Sequence, residues 1–369
     1  MKRAKKCVVP GLSPLIPKNH FVSMSMFREK PLIQWPYTDT VLFTAYDVYR
    51  SSDFWLDSVV KSGMTLKEGL VSFGFPKANK LVADTGIFEL EAKKAGIAAD
   101  LGIEVAVSLS NDQIFEAYEL SGADFFVAPD EIILATDDSA SAREKASLIK
   151  SNLLSLLEFV PASKTIGVLQ GIDPRIVESL FDFYREHGVD KFAIGGLLPL
   201  YHHDKMLFGQ VIQHARKLTQ GYWLHTFGLP LPSLIPYYLQ DVGMDSVDTS
   251  MLLYMTARRR YLAGVSSRPV RLVDFGSCRC EGCRNLDTSV NPQTMKFFVN
   301  LYIHNIVEAS KVAKACIGGT WEPEIHDKRI GDSSNEVGAI EHEQERKKPL
   351  KHPAGDWVTA DKLLSDERN

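Results

Sequence analysis

The sequence predicts an α/β fold: a (β/α)8 barrel of the TIM type with an appended C-terminal zinc-binding subdomain. Three observations carry this reading. Short apolar runs alternate repeatedly with helical patterns, which argues for a parallel sheet covered by helices. The runs end on polar or glycine residues: Asp84-Thr85-Gly86, Asp130-Glu131, Gln170-Gly171, Gly195-Gly196, His225 and Asp248. Barrels place their ligand-facing residues at that end of the strands. A doubly wound sheet would instead carry a glycine fingerprint at its first turn, and neither GxGxxG nor GxxxxGK[ST] occurs.

Residues 1–39 contain Pro10, Pro14, Pro17, Pro31 and Pro36 and read as an irregular N-terminal segment. The barrel is assigned to residues 40–255. Its strands are apolar runs of strand length bounded by turn residues. TVLFTAY (40–46) opens it, and LVADTG (81–86) runs into a glycine turn. IEVAVSL (103–109) is a strand or a buried segment, followed by the helical NDQIFEAYELSG. ADFFVAPDE (123–131) is a strand, and a long amphipathic helix covers about 138–158. KTIGVLQG (164–171) precedes a helix at 174–187, and KFAIGG (191–196) one at 204–218. GYWLHTFG (221–228) leads to a helix at 233–242, and MDSVDTS (244–250) is the last strand. Residues 256–325 are assigned to the zinc-binding subdomain and a closing helix. Residues 326–369 form a polar tail, in which Glu341, Glu343 and Glu345 precede Arg346, Lys347 and Lys348.

The metal assignment rests on Cys278, Cys280 and Cys283 in SCRCEGC, together with His304 in the helical stretch FFVNLYIHNIVEASK. Three thiolates and one imidazole complete a tetrahedral zinc shell. The short spacings let one tight turn present the sulfurs, with Gly282 supplying the freedom that turn needs. A full shell leaves no open position, so the zinc is expected to be structural.

Of 369 residues, 45% are hydrophobic and 24% charged, the balance of a soluble globular protein. A formal net charge of −4 excludes a polycation, so any nucleic-acid contact must use a local patch. Arg258-Arg259-Arg260, with Arg268 and Arg271, is the candidate for holding phosphates. The two cysteines outside the cluster, Cys7 and Cys316, make no disulfide framework, which points to a reducing, cytoplasmic setting. No signal peptide is evident, and no run approaches the ~18 apolar residues of a membrane span.

Asp84 and Asp248 stand at strand ends, where a barrel exposes them to ligand on a rigid element. Two facing carboxylates suit displacement at a sugar anomeric carbon: one attacks and the other moves protons. Asp245 lies an odd number of residues before Asp248 and would point to the opposite face of the strand. Asp130, Gln170 and Gly195-Gly196 complete a polar ring. A carboxylate can accept from the N–H groups of a guanine-like base, and a glutamine can donate to its carbonyl. The glycine pair would let the base approach main-chain N–H groups, and Phe88 could stack on it.

At these residues the chain resembles the tRNA-guanine transglycosylases. LVADTGIFEL resembles the family's Asp-Ser-Gly-Gly-aromatic-Gln strand, and FVAPDE its base-reading Asp-Glu strand. VLQG and AIGGL resemble its Leu-Gln-Gly and Gly-Gly-Leu strands. GMDSVDTS resembles the strand whose second aspartate is the nucleophile, and the Cys-x-Cys-x-x-Cys plus His-Asn element resembles the family's zinc subdomain. The resemblance implies that Asp248 attacks the anomeric carbon and expels guanine, while Asp84 takes a proton from the incoming 7-deazaguanine base. It implies that Asp130, Gln170, Gly195 and Gly196 read the base, beside Thr85 and with Phe88 stacked on it. It implies no redox cofactor.

The pattern departs from the family at Ile87, which replaces a glycine, at Glu89, which replaces the glutamine, and at Val247, which replaces a phenylalanine. The family's usual N-terminal opening is not visible, nor is a C-terminal RNA-binding domain. These departures favour DNA over tRNA as the polymer, as in the paralogue that inserts a 7-deazaguanine precursor into DNA (the DpdA type). The alternatives are a tRNA enzyme and a non-catalytic zinc-barrel subunit. The expected partners are nucleic acid, the free base and, in addition, a second copy or partner subunit. An accessory subunit can lose either aspartate; both are present here. A glycoside hydrolase on the same barrel would leave the zinc shell and the Gly-Gly strand unexplained.

Overall fold

The structure, a computed structural model, describes residues 7–10, 40–45, 62–72, 77–87, 109–249, 251–286, 292 and 294–322. Eight strands form one sheet: β1 (Cys7–Pro10), β2 (Thr40–Thr44), β3 (Lys80–Asp84), β4 (Phe125–Val127), β5 (Thr165–Leu169), β6 (Lys191–Ile194), β7 (Trp223–Thr226) and β8 (Ser246–Thr249). Their order is β1-β8-β7-β6-β5-β4-β3-β2, and every pairing is parallel. β1 and β2, at the two ends of that order, approach within 8 Å between Cα atoms. The sheet is therefore a nearly closed barrel wound with helices, as the alternation of runs requires.

Two strands differ from expectation. The N-terminal segment 1–39, read as irregular, supplies β1, which pairs with β8 in the register Val9↔Asp248. The proline-rich surroundings mask it, because a strand of four residues ending on Pro10 has almost no sequence signal. The run at 103–109 lies outside the described residues except for Leu109, and β3 pairs directly onto β4 through Val82↔Phe125.

The helices between strands start where side chains satisfy their first amides. Ser110 and Gln113 form a capping box at the head of Asn111–Ser121. Asp138, Asp173 and Asp204 cap Ser139–Leu157, Pro174–Glu186 and Lys205–Leu218. The helix expected at 233–242 is instead a 3₁₀ turn, Pro232–Leu234, followed by a π-helical turn, Tyr237–Val242. Pro236 has no N–H to give the Pro232 carbonyl four residues earlier, so the first turn cannot close as a regular α-helix. The wider turn keeps Tyr238 fully buried against the barrel.

Leu42, Val82, Val127, Ile166, Val168 and Ala193, taken from successive strands, pack into one buried cluster. Residues two positions further along a strand share its face. Asp84 thus continues the line of Val82, and Gln170 that of Val168. The apolar layer ends where the polar ring begins.

Beyond β8 the chain makes the helix Met251–Ala257 and an antiparallel hairpin of β9 (Arg260–Ala263) and β10 (Ser266–Pro269). The helix Met295–Ile317 packs on β1, on β9 and on Met251–Ala257. Residues Met1–Gly319 form one compact unit, and Thr320–Asn369 a second, of which only 320–322 are described. Among the described residues no helix is long and apolar enough to cross a membrane.

Candidate functional site

Asp84 ends β3, and Asp248 lies near the end of β8. Burial pushes the Asp84 carboxyl up to about 7; the charges of Asp130 and Asp248 add to this, and backbone N–H groups of Thr85 and Gly86 oppose it. All three carboxylates stand at or just beyond the C-terminal ends of parallel strands, β3, β4 and β8, at the mouth of the barrel. Asp248 Oδ1 accepts the Gly228 N–H at 2.7 Å, and its side chain keeps 14% of its exposure. It is both held and reachable. Asp245 is spent elsewhere: its Oδ2 accepts from Arg216 Nη1 at 3.0 Å and from the Leu224 N–H at 2.9 Å.

Asp130 is 6% exposed and accepts from Gln170 Nε2 at 2.6 Å. That bond engages a donor of Gln170 and fixes the orientation of its amide. Among the described residues Oε1 is then left buried without a hydrogen-bond partner. Such an atom is costly unless a ligand N–H reaches it. Sequence reasoning had Gln170 donating to a base carbonyl; the atom the fold leaves open is an acceptor.

The glycine pair has a different reason from the one expected. A Cβ on Gly195 would collide with Gln170 Nε2, and one on Gly196, at φ +70, would lie 2.7 Å from Oε1. The missing side chains make room for the Gln170 amide. Thr85 is buried, and its Oγ1 accepts the Ile87 N–H at 3.3 Å. Phe88 lies outside the described residues.

His225, seen in the sequence only as a polar strand end, reaches the same site. Its Nδ1 lies 2.7 Å from Ser246 Oγ and its Nε2 3.4 Å from Asp248 Oδ1. The ring stacks on Trp223 at 5.7 Å between centroids and meets the Phe227 ring edge-on at 4.8 Å. The signal available was strand alternation: His225 pairs in register with Ser246, and Ser246 shares the face of Asp248.

The four metal-ligand candidates converge. The sulfurs of Cys278, Cys280 and Cys283 lie 3.7, 3.4 and 3.3 Å from His304 Nδ1. All four atoms fall within 4.8 Å of one another, a group that could hold a metal ion. His304 Nε2 donates to the Leu262 carbonyl at 2.8 Å, which leaves the Nδ1 lone pair aimed at the sulfurs. Tyr261 stacks on the imidazole at 3.7 Å, and Asn305 ties the site to β9 by accepting the Leu262 N–H at 2.9 Å. Gly282 is needed for close approach, not for turn freedom. A Cβ there would collide with the Asn300 carbonyl of the helix that carries His304.

The arginine run divides. Arg259, at φ 57, donates to the Thr256 carbonyl at 3.2 Å and lies 5.9 Å over the Phe298 ring. Arg260 donates to Ser267 Oγ and its carbonyl at 2.8 and 2.9 Å. Arg258, Arg268 and Arg271 are the exposed members.

A family model described as queuine tRNA-ribosyltransferase matches residues 69–315, about two thirds of the chain. No curated protein matches it at a significant level.

Proposed function

The chain belongs to the queuine tRNA-ribosyltransferase family, and from that premise we propose that it exchanges guanine in DNA for a 7-deazaguanine base through a covalent Asp248 intermediate. The family supports guanine transglycosylase activity on nucleic acid, a glycosyl transfer. The site assignment is supported by the positions of Asp84, Asp130 and Asp248 at or just beyond the C-terminal ends of parallel strands of one sheet, and by an Asp84 carboxyl raised by burial and by the other two charges.

In the proposed cycle Asp248 forms a C1′–oxygen bond as the C1′–N9 bond to guanine breaks. Protonated Asp84 supplies the proton the departing base needs. The resulting carboxylate then takes the proton from N9 of the incoming base, whose nitrogen attacks C1′ and releases Asp248. One glycosidic bond replaces another, so no external energy is required. Asp130 and the open Oε1 of Gln170 accept base N–H groups, and a base pocket that deep requires the nucleotide to leave its stack, at a cost of roughly a few kcal/mol. Arg258, Arg268 and Arg271 are the members of the basic stretch free to meet phosphates. Zinc is the metal proposed for the Cys₃His group. Its four protein ligands fill a tetrahedral shell, so its part is to pin the hairpin and the long helix.

The DNA reading is supported by Ile87 and Val247, which depart from the tRNA family's motifs beside both aspartates. The tRNA reading is supported by the description of the matching family. Labelled guanine or a 7-deazaguanine precursor, offered with duplex DNA and with bulk tRNA, separates them. Incorporation into DNA is expected; incorporation into tRNA alone establishes the second reading, and incorporation into neither defeats transglycosylation.

A carboxyl titrating at about 7 also predicts a pH profile. Guanine release needs the acid form and falls above pH 7; base uptake needs the carboxylate and falls below it. Turnover should therefore peak near pH 7, and Asp84→Asn should flatten both limbs at a greatly reduced rate. Stability moves the other way. The folded carboxyl holds its proton up to about 7 against 3.8 unfolded, so the protein loses stability as pH rises through that window. Asp84→Asn escapes that loss, on the order of a few kcal/mol, and should melt above the wild type at pH 8. A lower melting point there would remove the strained carboxyl.

A further inference from the structure

We propose that His225 is a positioning residue for the nucleophile, holding Asp248 Oδ1 so that Oδ2 is the atom that attacks. The assignment rests on the reading of Asp248 as nucleophile. Both contacts of known geometry fall on one oxygen: the Gly228 N–H reaches Oδ1 at 2.7 Å, and His225 Nε2 lies 3.4 Å from the same atom. The carboxylate is thereby anchored at Oδ1, which leaves Oδ2 as the oxygen proposed to attack.

The surroundings of His225 settle which nitrogen carries hydrogen. The ring is 3% exposed, and among the described residues its Nε2 has no hydrogen-bond partner of good geometry. A bare Nε2 lone pair facing carboxylate oxygens would be repulsive, so Nε2 carries the hydrogen. Nδ1 then accepts the Ser246 hydroxyl at 2.7 Å. Trp223 and Phe227 clamp the ring faces and leave it little rotational freedom. The groups facing the ring are thus Ser246, Asp248, Trp223 and Phe227. A distance of 3.4 Å is long for a hydrogen bond, so the contact is an electrostatic one in the resting site.

The consequence falls on the second half of the cycle. Once Oδ2 bonds to C1′, Oδ1 becomes the carbonyl oxygen of a glycosyl ester. When the incoming nitrogen bonds to C1′, the C1′–Oδ2 bond breaks and its electron pair returns to Asp248 as a carboxylate. The Gly228 N–H bonded to Oδ1 and the His225 ring beside it stabilise the charge as it reappears. Ser246, His225 and the Gly228 N–H therefore favour departure of Asp248 from the sugar.

The test uses the full chain and labelled-base exchange. His225→Asn stays within reach of Ser246 but loses the donor toward Asp248; His225→Gln returns an amide N–H near the position of Nε2. We expect His225→Asn to lower kcat by about 10- to 100-fold with KM for the base within about threefold. The covalent protein–nucleic acid adduct should then accumulate on denaturing gels. His225→Gln should recover most of the loss. A purely structural histidine would give two variants with equal defects and no adduct, and that result overturns the proposal, as does wild-type kcat in His225→Asn. Should His225→Asn not fold, Ser246→Ala carries the test: it keeps His225 and removes the group that sets its hydrogen, with an expected drop in kcat of about tenfold. Unchanged kcat in that variant overturns the proposal too. Exchange persisting in Asp248→Asn would instead defeat the nucleophile assignment itself.

Discussion

Asp248→Asn should abolish base exchange, lowering turnover by about 10⁴-fold or more. Asparagine has nearly the same shape, and its amide oxygen can still accept the Gly228 N–H that Asp248 Oδ1 accepts at 2.7 Å. Strand β8 should therefore keep its register on β7 and β1, and the variant should fold. What it lacks is an anionic oxygen at the position proposed to bond C1′. A second readout follows from the charge. Asp248 is one of the two carboxylates that raise the Asp84 carboxyl, so removing its charge should shift the Asp84 titration below 7. Labelled-base exchange checks the first effect, and carbon NMR of the Asp84 carboxyl the second. Exchange at wild-type rates, or an Asp84 titration that does not move, would place the chemistry elsewhere.

Cys283→Ser should lose the metal and most of the soluble protein. Cys283 is 3% exposed and lies in a cluster with Tyr261, Phe275, Leu286, Phe297 and Leu301. Its sulfur is 3.3 Å from His304 Nδ1, the shortest of the three sulfur distances to that imidazole. Without the metal, three sulfurs and an imidazole would crowd into an apolar pocket with little to hold them together. Metal binding of this kind is folding free energy, apparent values being about 10 kcal/mol or more for small zinc domains. Losing even half of that is comparable with the whole stability of a typical domain, about 5–15 kcal/mol. Metal analysis of the purified protein and a thermal melt with and without a strong chelator are the measurements. A wild type that carries no metal and melts unchanged under chelation would end the assignment.

Much of this was legible in the sequence because it is local. The strand ends carrying Asp84, Asp130, Gln170 and Asp248 follow from alternation within short runs. The cysteine spacing and a helical histidine declare a metal group before any contact is known. What escaped is what distant residues decide. Gly282 looks like a turn glycine until Asn300, on another helix, is found against it. Gly195 and Gly196 look like a floor for a base until the Gln170 amide is found there. Arg259 and Arg260 look like a phosphate clamp until Thr256 and Ser267 are seen to take their guanidiniums. β1 escaped for a simpler reason: four residues ending in proline do not announce a strand, and only pairing with β8 makes them one.

That pairing bears on how the molecule comes into being. The strand that carries Asp248 has one neighbour, β7, joined to it through the 3₁₀ and π-helical turns, and another, β1, drawn from much earlier in the sequence. Joining Val9 to Asp248 closes a ring of nearly the whole domain, among the most entropically demanding contacts the chain can make. The seam should form late in folding, so the strand that carries Asp248 gains its second flank only after the rest of the barrel has assembled.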